Sequence, residues 1–194
     1  MQRTEMYRRR LTTAAPKEGA DLDSFLKSLG MRLRIREPSI HQRTRAHQLI
    51  NKTNQFNLNG VRIDEVDMAD MLAAGGRLFV ADLTDRSGSH GEIIAFLVDV
   101  SGIVRSFVMS CRVFQRRVEY SFLCWLARNW SGPQLVFDYR TSERNAPARM
   151  FFDESAFSAN ADGLLSFDAK VFLGAHEQAA ALVSIETDAE VQVA

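Results

Sequence analysis

The sequence predicts an α/β fold built on one mixed sheet, and two observations carry that prediction. Segments of period two and segments of helical period alternate along the chain: strand, helix, helix, three meandering strands, helix, strand, helix, strand. The chain has 194 residues, 46% of them hydrophobic and 25% charged, which suits one domain of ordinary size with its own core and argues against disorder.

Each element has a local reason. "DLDSFLKSLG" carries apolar residues at 22, 25, 26 and 29, with Asp21 before it and Gly30 after it, so a short capped amphipathic helix is expected. "MRLRIRE" alternates Met31, Leu33 and Ile35 with arginines and reads as a strand that Pro38 ends. Ser39 and Gln42 have capping-box spacing and open a helix through about Lys52. "DEVDMADMLAAGG" is a further helix, closed by Gly75 and Gly76. "RLFVADLTD", "EIIAFLVDV" and "IVRSFVMS" are successive strands, the last two joined by a tight "SG" turn. "RRVEYSFLCWLARNW" reads as a long helix, "PQLVFDYR" as a strand, "NAPARMFFDESAF" as a helix and "LLSFDAKVFL" as a strand.

Composition narrows the function classes. The formal net charge is zero, which argues against broad nucleic-acid binding. The first 45 residues are nonetheless rich in arginine, with Arg3, Arg8, Arg9, Arg10, Arg32, Arg34 and Arg36 among them. Such a stretch is either a solvated face or a patch for phosphates and acidic surfaces. No apolar run is long enough to span a bilayer, and the basic N-terminus has no apolar region after it, so neither a membrane span nor a secretory signal is expected. Two cysteines, Cys111 and Cys124, are too few for a disulfide scaffold or a structural zinc site. Free thiols in a reducing cytoplasm are the expectation, with no metal.

The order of elements also resembles the GNAT acyltransferase fold, a mixed, mostly antiparallel sheet flanked by helices. Four stretches resemble something narrower: "INKTNQFNLN" (50–59), "LTDRSGSHG" (83–91), "FVMSCRVFQRRVE" (107–119) and "YRTSERNAPARMFF" (139–152). Together, from about Phe25 to about Phe157, they are similar to the C-terminal GNAT-like half of FkbH-like proteins. That resemblance implies a domain over 31–175. It makes residues 1–30 a basic segment and short helix left from the linker to a phosphatase half, and 176–194 a C-terminal tail.

The resemblance implies a definite chemistry. FkbH-like proteins join a HAD-type phosphatase half to this half. They take a phosphorylated glycerate donor and hand the glyceryl group to the phosphopantetheine thiol of an acyl carrier protein, for polyketide extender units. The cysteine matching Cys111 is held to carry the glyceryl thioester in passing. In the GNAT fold two central strands splay apart, the pantetheine arm enters the gap, and its phosphate lies on the N-terminus of the following helix. The chain departs from the family in three ways. It has no DxDxT-type motif, so the phosphatase half must come from a partner or a longer chain. Gln115 and Arg117 stand in the glycine positions of an R-x-x-G-x-G loop that begins at Arg112. Ser89 stands where an aspartate is usual before His90. A pyrophosphate needs the close backbone approach that glycine allows. A carrier arm has a single phosphate, which Arg112, Arg116 or Arg117 can pair with through side chains.

Read for chemistry, Cys111 is either a small buried residue closing the core or a nucleophile at a strand end and helix N-terminus, where a thiolate is favoured. The resemblance favours the nucleophile. His90 is the candidate base and Asp85 its orienting partner; the alternative is a turn histidine without a role. Asn54 and Gln55 can meet the hydroxyls of a glyceryl group, or belong with Asn51 and Asn57 to a turn network. Asn145 contacts the pantetheine arm or caps a helix. Cys124 packs in its helix, and His41 and His47 read as surface groups. Phe151 and Phe152 occupy a place where many GNAT proteins put a catalytic tyrosine, which suits thiol exchange better than amine acetylation. Three functions follow: a glyceryl or small-acyl transferase acting on a carrier protein, a catalytically silent carrier-docking module, and an N-acyltransferase using acetyl-CoA.

Overall fold

The computed structural model describes residues 19–161 and 163–188, and the basic residues expected in the first eighteen positions lie outside the described residues. Helix α1 spans Gly19–Ser28 and strand β1 Arg32–Arg36. A 3-10 turn, Ile40–Gln42, leads into α2, Arg43–Lys52, and the expected capping spacing is realised by Ser39 N–H donating to Gln42 Oε1 at 3.2 Å. A two-residue strand β2, Phe56–Asn57, precedes α3, Glu65–Ala73, which Asp64 caps by accepting from Asp67 N–H. Strands β3 (Arg77–Asp85), β4 (Gly88–Val98) and β5 (Ile103–Met109) form the expected meander. Then come α4 (Val118–Asn129), β6 (Val136–Phe137), α5 (Ala146–Glu154), β7 (Phe157–Ala159), β8 (Leu165–Phe167), α6 (Ala169–Ala180) and β9 (Ser184–Thr187).

The described strands make one nine-stranded sheet in the order β7-β8-β6-β5-β4-β3-β1-β9, with β2 added beside β5. Among the described strands, only β1 with β9 and β5 with β6 pair in parallel; the other pairings are antiparallel. The α/β fold with a mixed, mostly antiparallel open sheet flanked by helices is thus the expected GNAT-like class. No helix among the described residues is long and apolar enough to cross a membrane.

Strand alternation splits the apolar residues between the two faces of the sheet. Leu78, Val80, Ala95, Leu97 and Val108 meet Ala46 and Ile50 of α2 and Met68 of α3. Phe79, Ala81, Ile94, Phe96 and Phe107 face the other way, onto α1, α4, α5 and α6. Phe96 there touches Phe79, Phe107, Phe122 and Phe137, with ring centroids 5.6–6.3 Å apart. Truncating such a ring costs about 3–5 kcal/mol.

The C-terminal third differs from the sequence reading. "LLSFDAKVFL" is a strand only over Leu165–Phe167; Asp168 then caps α6 by accepting from Val171 N–H at 2.9 Å. Phe172 points into the core, at a period that serves a helix as well as a strand. Residues 176–188, expected as a tail, complete α6 and form β9 against β1. Helix α1 is likewise anchored, with Leu26 buried in the core.

Candidate functional site

The β3–β4 hairpin builds the first part of the site. Asp85 pairs with Gly88 across a turn of Arg86 and Ser87, and Gly88 adopts φ +119°, which a side chain would resist. Leu83 pairs with Gly91 but Thr84 pairs with Ser89, so His90 is the extra residue of a β-bulge. A bulge re-aims the side chain it carries. Here the imidazole Nε2 of His90 lies 2.9 Å from Oδ2 of Asp85. The expected base and its expected orienting partner are therefore joined, and His90 stands within β4 rather than in a free loop.

Asp85 is buried, its side chain 2% exposed, and every lone-pair direction has a donor. Ser87 donates to Oδ1 through its backbone N–H at 2.7 Å and its hydroxyl at 2.5 Å. Oδ2 accepts from Arg116 and His90. Burial by itself would raise the carboxyl pKa, but the bonds from Ser87, Arg116 and His90 outweigh it and hold the group well below the usual carboxylate range.

Cys111 follows β5 along the neighbouring strand. Ser110 N–H donates to the carbonyl of Ile93 at 2.8 Å, which continues the ladder up to the cysteine. The thiol is exposed, so the core-filling alternative is excluded. Its expected seat at an α-helix N-terminus is corrected: Cys111 opens a 3-10 turn, Cys111–Val113, and α4 starts only at Val118. The buried thiol is Cys124, packed in α4, where burial pushes its pKa up to about 11. Gln115 and Arg117, on either side of Arg116, take left-handed φ values of 65° and 59°. The loop thus keeps a glycine-like backbone path without glycine, at a cost of roughly 1–2 kcal/mol per residue.

The arginines assigned to a phosphate all have protein partners. Arg116 is paired with buried Asp85. Arg117 Nη1 meets Asp23 of α1 at 2.7 Å. Arg112 donates to Ser110 Oγ at 3.0 Å and to the carbonyl of Glu92 at 3.3 Å. The stripe on β1 is also paired: Arg32 with Glu186, Arg34 with Asp188, Arg36 with Asp82 and Glu92.

The strand gap is the largest departure from expectation. β5 and β6 pair only at Ile103–Val136 and Val104–Phe137. Further along the same edge, β2 pairs Asn57 with Val108 and Phe56 with Met109. Leu58 N–H donates to Phe107 O at 3.0 Å, and Arg140 N–H, beyond β6, donates to Leu58 O at 3.2 Å. The chain's own residues 56–58 therefore bridge the divergence, and the buried Phe56 ring packs on Phe107 and Phe151.

The polar block divides in two. Asn51 and Asn57 form the turn network: Asn51 bonds Ile63 through both ends of its amide, and Asn57 Oδ1 accepts from Asn59 and Gly60 N–H. Asn54 and Gln55 are exposed; Asn54 Oδ1 accepts from Arg62 Nη2 at 2.5 Å. Asn145 precedes α5 but makes no side-chain cap there. It is fully buried and donates to the carbonyls of Asn57 (3.0 Å) and Arg140 (2.9 Å) while accepting from Ser142 N–H (2.8 Å). The expected cap is thus replaced by a backbone staple.

His41 is exposed as expected, whereas His47 is half-buried and its Nε2 lies 2.8 Å from the carbonyl of Ile63. Two features escaped the sequence reading, one in the Asp85 cluster and one buried in α4. Ser87 is the main clamp on Asp85, and its D-R-S turn spacing was the available signal. Glu119, in the first turn of α4, is buried with Oε2 lacking any hydrogen-bond partner, and burial pushes its pKa up to about 7. Nothing in local sequence marks it, because a helix N-terminus welcomes glutamate anyway.

Comparison with family models, with curated proteins and with solved structures gives no match for this chain.

Proposed function

We propose that this chain is an acyltransferase domain that passes a glyceryl or related small acyl group through a Cys111 thioester to the phosphopantetheine thiol of an acyl carrier protein. The observation that supports it most is an exposed thiol two residues past the end of β5, with a hydrogen-bonded histidine–carboxylate pair on the β3–β4 hairpin, whose β4 strand is the neighbour of β5. Thiolate attack on the donor carbonyl expels the donor's leaving group and forms the Cys111 thioester. Attack by the pantetheine thiolate then forms the carrier thioester and returns Cys111 as thiolate. Cysteine suits this exchange because its thiolate leaves as readily as that of pantetheine. The HAD-type phosphatase half would be a separate partner or a further part of a longer chain, and Asn54 and Gln55 remain exposed for contacts to the acyl hydroxyls.

A second reading, a non-catalytic carrier-docking module, is favoured by one observation: β2 fills the edge of β5 where an extended arm would otherwise pair. Intact-mass measurement separates the two. With a glycerate donor, the phosphatase partner and a holo carrier protein, the expected result is a glyceryl adduct on the wild-type chain and on the carrier, absent with Cys111→Ala. Carrier binding with no adduct on either protein overturns the transferase reading. Consumption of acetyl-CoA with an amine acceptor would assign an N-acyltransferase instead.

A further inference from the structure

Arg116 is the least expected member of the Asp85 cluster. It comes from the loop between β5 and α4 and donates to the same Oδ2 that holds His90. Its Nη1 lies 3.4 Å from His90 Nε2, so the three groups meet around one carboxylate oxygen. The Arg116 and His90 side chains are 22% and 18% exposed, which leaves the contacts poorly screened by water.

The chain invests local strain in this contact. Arg116 sits between Gln115 and Arg117, the two left-handed non-glycine residues of the described chain. Arg116 N–H also donates to Val113 O at 3.2 Å, which fixes the loop on its own 3-10 turn. Arg117 is tied to Asp23 on the other side. The loop is therefore held at both flanks of Arg116, and the guanidinium is delivered to a carboxylate whose other oxygen Ser87 already saturates.

We infer that Arg116 is a positioning residue: with Ser87 it clamps Asp85 in one orientation, so that His90 stays protonated at Nε2 and keeps Nδ1 as its basic atom. A carboxylate accepts and does not donate, so His90 can bond to Asp85 Oδ2 only as an Nε2–H donor. The Nδ1 atom has no partner among the described residues and is the ring position left to take a proton from a thiol, directly or through a water. Without Arg116 the buried Asp85 carboxylate loses its compensating charge and its fixed rotamer, and the tautomer is no longer enforced. The inference rests on Cys111 as the nucleophile only for its use, not for its geometry.

The test reads the ring nitrogens of His90 by long-range 1H–15N correlation in the uniformly 15N-labelled full chain, assigned with His90→Gln. In wild type the Nε2–H form exceeds the Nδ1–H form by at least about tenfold at neutral pH, as a hydrogen bond to a charged acceptor implies. Arg116→Gln lowers that ratio by about threefold or more, and Arg116→Lys restores most of it. The His47 pattern, from a ring whose Nε2 lies beside the Ile63 carbonyl in a separate part of the fold, stays unchanged and reports intact folding. A mixed or Nδ1–H tautomer in wild type overturns the inference without any variant. So does an unchanged ratio in Arg116→Gln, including the case where that variant loses affinity for phosphopantetheine and Arg116 serves the phosphate alone. Failure of glyceryl loading with the His90 pattern as expected would sink the transferase reading and leave the positioning role standing.

Discussion

The side-chain amide of Asn145 donates to the backbone carbonyl of Asn57 at 3.0 Å, across 88 residues of sequence. That bond latches β2 to the loop before α5 and keeps β2 against β5. Asn145→Ala leaves the Asn57 and Arg140 carbonyls and the Ser142 N–H without their partner. The expected cost is about 3 kcal/mol, since buried groups left unpaired lose about 1–3 kcal/mol each but can partly relax. Urea denaturation checks the loss. Hydrogen exchange at the Leu58 amide, which bonds Phe107 O, should accelerate more than exchange in β3 and β4, because the latch acts locally.

Gln115 adopts φ 65° with an exposed side chain, so its conformation is strained and its contacts are few. Gln115→Gly removes the strain of about 1–2 kcal/mol but raises the entropy of the unfolded chain by about 0.4–1 kcal/mol. The net expectation is a gain of about 0.5–1 kcal/mol, read as a higher denaturation midpoint with unchanged denaturant slope. Arg117→Gly should gain less, because it also removes the ion pair with Asp23.

Glu119 makes stability fall as pH rises. Burial lifts its folded-state pKa from 4.5 to about 7, so the neutral acid is the form the fold favours. Its contribution is complete below about 4.5 and disappears as pH rises through about 7. The loss approaches roughly 3 kcal/mol at most. Burial raises Glu92 in the same direction, so Glu119→Gln should reduce the slope of stability against pH across this window and leave part of it. Asp85 has the opposite sign: its folded pKa is depressed, so its contribution is present above the ordinary carboxylate value and fades as pH falls below it. Denaturation midpoints measured across the pH range for wild type and Glu119→Gln check both slopes.

Much of the fold was legible from residue order because local pattern and tertiary role agree there. The β3–β4–β5 meander, α3 with Asp64 at its cap and the apolar stripe of α4 each carry their own signal. Where a segment is short or its apolar period is ambiguous, the signal fails. Two-residue β2 has no period of its own and exists only because β5 offers a free edge. Helix α6 was hidden by "KVFL", whose apolar residues suit either element.

The same division runs through the site. By itself the sequence determined which groups are present: a thiol after a strand, a histidine and an aspartate in the hairpin that precedes that strand, and arginines behind the thiol. Those follow from residue types and short-range spacing. Tertiary structure alone decided how they combine. The bulge at His90, the closure of Arg116 on Asp85 and the staple from Asn145 to Asn57 each join residues from separate elements. The physical reason is that register shifts, buried charge pairing and edge pairing depend on which neighbour a strand or loop meets, and no local window of sequence contains that neighbour.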